Sequence, residues 1–324
     1  MSSPPSTASR PSLRVDSNQG RSSAVFGRVC WSPTKSLWLC LMVAAAVLGG
    51  PETMRWDTVI LCLLLSVVTL CAGYSVGIHR RLIHNSFQCP QWVENVLVYI
   101  GVLAGQGGPF SAIERHDLRD WAQRQPRCHD FFANRRDIFT DAYWQLHCDI
   151  ALEYPPIIRY EPRIARNRFY HWLEQTWMLQ QVPLGVALYH IGGWAWVFWG
   201  VYVRIALCAT LRWLFSYLSR HFGDRPQWVQ GAGVQSHNLP LLGLLSFGES
   251  WQNHHQAFPG SARFGLLPNQ FDPGWWFIKG LESVGLAWNI RQPDRFIAAR
   301  MPSTTAAAPI QPSPETRQKA TSYR

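Results

Sequence analysis

Lysine is almost absent from this sequence of 324 residues, which has 3 Lys against 27 Arg. The arginines stand mostly singly among apolar and aromatic residues, so the net charge of +10 does not indicate a nucleic-acid-binding protein. Paired cysteines are missing as well, because none of the 8 Cys falls in a CxxC spacing. Cys40, Cys62 and Cys71 lie inside apolar runs, which is typical of reduced thiols in a protein that faces the cytoplasm.

Apolar residues are plentiful and are gathered into blocks. Hydrophobic residues make up 47% of the chain, with 17 Trp and 16 Phe among them. Four blocks approach the roughly 20 residues that a membrane-spanning helix needs, namely 37–50, 56–78, 178–193 and 194–216. The stretch PETMR joins the first pair and Gly192 with Gly193 joins the second, so we predict two hairpins. A fifth segment, 93–108, is rich in glycine and interrupted by Gln106, which favours a re-entrant or interface-lying helix.

Two hairpins leave the long polar parts of the chain on one side of a membrane. These parts hold nearly all the Arg, which places them in the cytoplasm by the positive-inside rule. The head, 1–35, and the tail, 299–324, have too little apolar content to offset the entropy of ordering, so we expect both to be disordered. The sequence therefore predicts an all-α, multi-pass integral membrane domain over 36–298, with cytoplasmic termini, in a bacterial inner membrane. Arg204 and Arg212, inside the fourth block, are expected either to snorkel or to lie where that helix projects into the cytoplasm.

Histidines recur just after the apolar segments, at His79, His84, His116, His221, His254 and His255. A single histidine at a helix end is usually a surface or capping residue. Recurrence at several segment ends on one side of a membrane favours convergence on a metal, because neutral imidazole is the commonest protein ligand for metals such as iron and zinc.

Several spaced motifs contain these histidines or flank them: HRRLIH (79–84), GVLAGQGGP (101–109), FGESW (247–251) and NHHQAFPGS (253–261). Their order resembles that of the membrane-bound fatty acyl desaturase family, the histidine-box enzymes that act on acyl-CoA or acyl-lipid. The resemblance implies four transmembrane helices in two hairpins and a cytoplasmic helical cap that holds two irons. It also implies O2 as the oxidant and a cis double bond as the product. A ferredoxin or cytochrome-type protein is the expected electron donor, because the sequence has no GxGxxG fingerprint for a bound nicotinamide or flavin.

The resemblance assigns roles to individual residues of this sequence. It implies iron ligands at His79, His84, His116 and His255. Positions where the family has further histidines are altered here, and they hold Arg119, Asp120, Arg220, Gln252 and Gln256. A carboxylate oxygen can bind iron and a guanidinium cannot, so the further candidate ligands are Asp120, His254 and His221. Expected to orient a ligand or to hold a water are Glu249, Asn238 and Asn253. Expected to line the substrate site are Trp251 and Phe110.

The altered ligand positions leave more than one function open. The favoured interpretation is an iron-dependent oxidoreductase that introduces a double bond into a fatty acyl chain with O2 and two external electrons. One alternative is a desaturase-fold protein with a degenerate metal site that acts in lipid binding or as a partner protein. Others are a related lipid hydroxylase and an enzyme with a single metal ion. We favour an enzyme, because a chain freed from catalysis has little reason to keep both the HxxxxH pair and the NHH core.

Overall fold

The computed structural model describes residues 14–17 and 20–293. Most of this part of the chain is helical. The α-helices are α1 Pro33–Gly49, α2 Trp56–Val67, α3 Gln91–Val102, α4 Pro109–Arg124, α5 Asp130–Ala133, α6 Ile138–His147, α7 Pro162–Ala165, α8 Arg168–Thr176, α9 Gln181–Val197, α10 Arg204–His221, α11 Gln252–Ala257 and α12 Pro273–Ser283. Two π-helices, Val68–Ile83 and Phe198–Val203, continue α2 and α9, and short 3-10 helices span Pro51–Thr53 and Pro240–Leu242.

Two helical stretches are long and apolar enough to cross a membrane. They are Trp56–Ile83, with 28 residues and a mean hydropathy of 2.4, and Gln181–His221, with 41 residues and a mean hydropathy of 1.4. The helix α1 is apolar too, but it is shorter, with 17 residues. The second stretch is not one straight helix, because Gly193 has a φ of 66° and a ψ of −162° that break α9. Only glycine adopts such angles without strain, and the break falls in the predicted turn at Gly192 and Gly193.

The segments around the first π-helix differ from prediction at their ends. The second apolar block is predicted to end at residue 78, but the helix continues to Ile83. This π-helix lies very close to α3, because a Cβ atom added at Gly77 would lie 2.6 Å from the carbonyl oxygen of Leu97. The fifth segment is predicted to be helical as far as residue 108, but the helix α3 stops at Val102. Gly105 and Gly107 follow this end, and both have a positive φ. Glycine therefore sets both the spacing and the end of this helix pair.

The structure is mostly helical, as predicted, and the described residues also contain short strands that the prediction lacks. Strand β1, Val15–Asp16, pairs antiparallel with β4, Ile157–Ile158, and β2, Gly27–Trp31, pairs antiparallel with β3, Cys148–Leu152. In the second sheet the register runs from Gly27 opposite Leu152 to Trp31 opposite Cys148.

These strands correct the prediction that residues 1–35 form a disordered head. The described part of that head supplies β1 and β2, and Ala24 is buried with Phe131 and Phe132 in a hydrophobic core. Strands β1 and β2 each pair with a strand more than 100 residues further along the chain. These strands supply hydrogen bonds and apolar contacts that the composition of residues 1–35 does not reveal. The rest of the predicted head and the predicted tail at 299–324 lie outside the described residues.

Arg204 is fully buried and neither snorkels nor projects from the helix. Its guanidinium donates hydrogen bonds to the carbonyl of Leu103 at 2.8 Å and to the side-chain oxygen of Gln181 at 3.0 Å. Its Nε donates to the carbonyl of Gly200 at 2.6 Å. The arginine thus joins the start of α10 to the end of α3 and the start of α9, and its donors are used within the protein.

Candidate metal centre

The first two predicted ligands are brought to one side of their helix by the π-helix itself. His79 and His84 are five residues apart, and in an ordinary α-helix of 3.6 residues per turn they would point about 140° away from each other. Here the N–H of His84 donates to the carbonyl of His79 at 3.1 Å, which is the i to i+5 bond of a wider π-turn. The two ring centroids therefore lie 4.9 Å apart.

Two further histidines reach the same point from other elements. His116 lies on α4 and His255 on α11. The Nε2 atoms of His79 and His255 are 3.1 Å apart, and those of His84 and His116 are 3.2 Å apart. One nitrogen from each of the four rings lies within 4.8 Å of the others. Nitrogens that bind one metal ion at about 2 Å lie at spacings of this order, so the four-histidine cluster fits a single ion.

Burial favours the neutral form of these imidazoles, which is the form that binds a metal cation. His79 and His255 are less than a tenth exposed. Burial lowers the pKa of His84 and His255 well below the ordinary value, and the neighbouring imidazoles lower it further. The neutral ring therefore predominates at neutral pH, and neutral imidazole is the form that binds metal.

Carboxylates hold two of the rings in place. An oxygen of Glu249 lies 2.7 Å from Nδ1 of His79, and its other oxygen accepts a hydrogen bond from Ser75 at 2.6 Å. Burial raises the pKa of Glu249, but His79, Arg80 and Ser75 together lower it to about 2, so this carboxylate stays ionised. Asp117 lies 3.2 Å from Nδ1 of His116. Both contacts leave Nε2 of the ring directed at the cluster.

Replacing Glu249 with glutamine is expected to weaken metal binding about 10- to 100-fold, because the ring of His79 loses the anion that orients and polarises it. Titration of the metal-loaded protein with a chelator measures this change. A matched control is Glu282→Gln, which alters a half-exposed carboxylate paired with Lys279 and should leave the affinity unchanged. Equal affinities for the two variants would contradict the role given to Glu249.

The remaining candidate ligands lie outside the cluster. Asp120 pairs with Arg124 at 2.9 Å, one helical turn further along α4. His221 is exposed, and its ring donates to the carbonyl of Tyr217 at 2.9 Å. His254 is buried, but its Nδ1 donates to the carbonyl of Phe264 at 3.1 Å. The structure therefore brings His255 to the cluster and turns its neighbour His254 away, as expected for adjacent residues on a helix.

The altered positions form a network of guanidinium and amide groups. Arg220 donates to Ser236 and, at 3.0 Å, to the side-chain oxygen of Gln123. Gln256 accepts from the backbone and hydroxyl of Ser236 at 2.9 and 3.0 Å. Arg119 donates to Gln145 and to Asn134, and Gln252 donates to the carbonyl of Glu249 at 2.8 Å. Within residues 14–17 and 20–293, the four-histidine cluster is the single group of three or more His, Cys, Asp or Glu that is arranged to hold an ion. The described residues therefore offer a metal ion one set of four imidazoles.

Asn238 and Asn253, which are predicted to orient a ligand or to hold a water, bind the backbone instead. Asn253 accepts from the backbone N–H of Gln227 at 2.8 Å and donates to the carbonyl of Ser236 at 2.9 Å. The side-chain oxygen of Asn238 accepts from the backbone N–H groups of Asn253 and His254 at 3.0 and 3.3 Å. Both asparagines therefore fix the loop before α11 and the start of that helix, and neither contacts the four-histidine cluster through these bonds.

A cavity of about 840 Å³ adjoins the cluster, and His79, His116 and His255 lie in its wall. Trp251 and Phe110, the predicted substrate residues, do not line it. Trp251 is buried and donates to the carbonyl of Phe271, and Phe110 belongs to a hydrophobic core. The apolar part of the wall is instead formed by Trp38, Leu39, Leu70, Trp177, Ile205 and Ala209.

Three residues that serve the cluster are absent from the sequence-based prediction. Ser75 contacts Glu249, Asp117 contacts His116, and Phe264 packs on the rings of His79 and His255 at centroid distances of 5.3 and 4.5 Å. Asp117 follows a predicted ligand directly, and that adjacency is the one signal that the sequence offers. Ser75 and Phe264 carry no such signal, because they meet the site through contacts between distant segments.

The sequence is similar to curated proteins that are named desaturases. The chain is 33% identical over 263 residues to an sn-1 stearoyl-lipid 9-desaturase of Anabaena variabilis, which covers 80% of this chain and 93% of that protein. It is 32% identical over 264 residues to a chloroplastic palmitoyl-monogalactosyldiacylglycerol delta-7 desaturase of Arabidopsis thaliana, covering 79% and 68%. It is 29% identical over 287 residues to an icosanoyl-CoA 5-desaturase of Limnanthes douglasii, covering 84% and 77%. No protein-family model matches the sequence.

A mostly helical chain with two apolar stretches and a buried four-histidine cluster is consistent with a membrane-bound metalloenzyme. The identity to the Anabaena protein extends over nearly all of that protein, so the chain belongs to the membrane fatty acid desaturase family. The resemblance inferred from the motifs is confirmed.

Proposed function

We propose that this protein is a fatty acyl desaturase that introduces a double bond into an acyl-lipid or acyl-CoA chain with O2 and two external electrons. The observation that carries the proposal is the four-histidine cluster, three of whose rings line a cavity with a partly apolar wall. Relatives named as acyl-lipid and acyl-CoA desaturases support the reaction class. An unactivated methylene chain offers no charged group to attack, so side-chain acid-base chemistry alone does not suffice.

Iron is the metal that we propose for this site, held by His79, His84, His116 and His255. When bound, it supplies the activation of dioxygen that removal of two hydrogens requires. The protein contributes neutral imidazoles, the carboxylate of Glu249 behind His79, and a partly apolar cavity wall beside them. The retained imidazoles and their carboxylates disfavour a lipid-binding protein with no metal, because that role needs neither.

The acyl chain is proposed to lie along the apolar part of the cavity wall. Trp38 and Leu39 of α1, Leu70 of the first π-helix and Ile205 of α10 contribute to that wall. Burial of a saturated chain against such side chains gives about 0.8 kcal/mol per methylene group. These helices thereby position the methylenes beside the histidines without any polar contact to the chain.

The proposed topology has four transmembrane helices in two hairpins over residues 36–298, with a cytoplasmic helical cap. The break at Gly193 supports two helices in the second long stretch, and the turn Pro51–Thr53 supports a hairpin of α1 and α2. Leu48 and Trp56, at that turn, are 76% and 85% exposed, as suits a surface that meets lipid. A ferredoxin or cytochrome-type donor would dock on the cap, and a bacterial inner membrane is the proposed location.

Iron analysis and lipid profiling test this proposal together. Purified protein is expected to carry about one iron per chain, because the cluster offers one set of four imidazoles. A host that expresses the protein should gain unsaturated fatty acids that the same host with an empty vector lacks. Two irons per chain would contradict the single-metal site, and an unchanged lipid profile in the presence of bound iron would contradict desaturation.

A further inference from the structure

Residues 14–17 form a short segment that we call the N-terminal strap, and its first residue is Arg14. Strand β1 of the strap pairs with β4, and the backbone N–H of Arg159 donates to the carbonyl of Arg14 at 2.8 Å. Val15 packs against the hydrophobic core to which α5 contributes. These contacts fix the strap, and the side chain of Arg14 is only 6% exposed.

The guanidinium of Arg14 binds a carboxylate that contacts a predicted metal ligand. Its Nε donates to one oxygen of Asp117 at 2.8 Å, and the other oxygen of Asp117 lies 3.2 Å from Nδ1 of His116. The side chain of Asp117 is completely buried. A buried carboxylate needs a cation and hydrogen bonds to stay in place, so Arg14 holds the group that orients the ring of His116.

The same guanidinium also reaches the backbone beside a second predicted ligand. One of its terminal nitrogens donates to the carbonyl of Ile83, the last residue of the first π-helix. The final carbonyls of a helix have no partner within the helix, so this bond holds the helix end directly before His84. The other terminal nitrogen lies 3.3 Å from a carboxylate oxygen of Glu161, the residue before α7. One side chain therefore joins the strap to the π-helix, to α4 and to the start of α7.

We propose that Arg14 is a positioning residue for the metal centre. Through Asp117 it fixes the ring of His116, and through the end of the π-helix it fixes the backbone before His84. The Nε2 atoms of these two histidines lie 3.2 Å apart, so a shift of either ring alters the spacing that an ion meets. The role rests on the metal centre of the proposed function, and it makes the N-terminal strap part of that centre.

Titration of the Co²⁺-loaded full chain in detergent with a chelator tests this role. Arg14→Met is expected to weaken Co²⁺ binding about tenfold, as for other groups that orient a ligand from outside the coordination sphere. The visible absorption of bound Co²⁺ should shift as well, because it depends on the geometry of the coordinating nitrogens. A lower unfolding midpoint with wild-type affinity and spectrum would show a structural role alone and would overturn the proposal.

Arg159→Met is the matched control. This arginine lies directly after β4 and pairs with Asp16 of the strap at 2.8 Å, but its side chain is 69% exposed. The variant removes an ion pair from the same strap and should keep the wild-type affinity and spectrum. An equal loss of Co²⁺ affinity in both variants would overturn the specific role of Arg14.

A double variant tests whether Arg14 acts through Asp117. Asp117→Asn combined with Arg14→Met is expected to bind Co²⁺ within about threefold of Asp117→Asn alone, because Asp117 contacts the ligand ring itself whereas Ile83 only precedes a ligand. Losses that multiply in the double variant would contradict this path and overturn the proposal.

Arg14→Lys keeps the test decisive if Arg14→Met does not fold. Lysine keeps a positive charge beside Asp117 but lacks the fork that reaches three partners at once. A loss of about threefold in Co²⁺ affinity at an unchanged unfolding midpoint would support the role, and an unchanged affinity would overturn it. A wild-type protein that binds no Co²⁺ would overturn the metal centre and the proposed reaction with it. Equal affinities of the wild type and the Arg14 variants, with double bonds still formed in the expressing host, would overturn the role of Arg14 alone.

Discussion

Replacing His255 with alanine is expected to lower the bound iron at least about 100-fold and to abolish the formation of double bonds. This residue supplies one of the four nitrogens that meet within 4.8 Å, and its Nε2 lies 3.1 Å from that of His79. Alanine leaves three imidazoles and an opening in a buried site. Metal analysis by mass spectrometry and a lipid profile of the expressing host measure the two effects.

The adjacent residue offers a matched control for this experiment. His254→Ala removes an imidazole of the same chemistry from the same helix, but that ring donates to the carbonyl of Phe264 and stacks on Trp251 instead of facing the cluster. The variant should keep its iron and lose about 1 kcal/mol of stability from the missing hydrogen bond. Loss of iron from His254→Ala together with its retention in His255→Ala would show that α11 is rotated and that the cluster is assigned wrongly.

Replacing Arg80 with methionine is expected to destabilise the protein by about 3–5 kcal/mol, because it leaves the buried carboxylate of Asp272 without its cation. Both side chains are almost completely buried, and their ion pair measures 2.8 Å. The other oxygen of Asp272 accepts from the backbone N–H groups of Phe264 and Gly265 at 2.7 and 3.2 Å. A fall of about 10 °C in the thermal unfolding midpoint, measured in detergent, would correspond to this change.

The same substitution is expected to weaken the metal site indirectly. The guanidinium of Arg80 lies 4.0 Å from the ring centroid of Phe264, which in turn packs on His79 and His255. Lys279→Met is the control, since it breaks an exposed pair with Glu282 that contributes at most about 1 kcal/mol. Similar unfolding midpoints for the two variants would refute the role given to the buried pair.

The sequence predicts which four histidines meet, because they lie in short motifs that occur in a recognisable order along the chain. It also predicts the turn at Gly192 and Gly193, where the described backbone needs angles that only glycine adopts. The pairing of β2 with β3 escapes prediction, because strand partners more than 100 residues apart leave no local pattern. The same limit explains why the sequence predicts Trp251 and Phe110 in the substrate site although neither lines the cavity. An aromatic residue near a motif packs into a core as readily as it lines a cavity.

Arg204 has a consequence for how the protein is made. An arginine at the centre of an isolated helix is costly to place in a bilayer, by about 2.5–3.5 kcal/mol on insertion scales. Its acceptors, Leu103 and Gln181, both precede it in the chain, so the ribosome delivers them before the arginine emerges. Both acceptors have therefore already been synthesised when the helix of Arg204 leaves the ribosome.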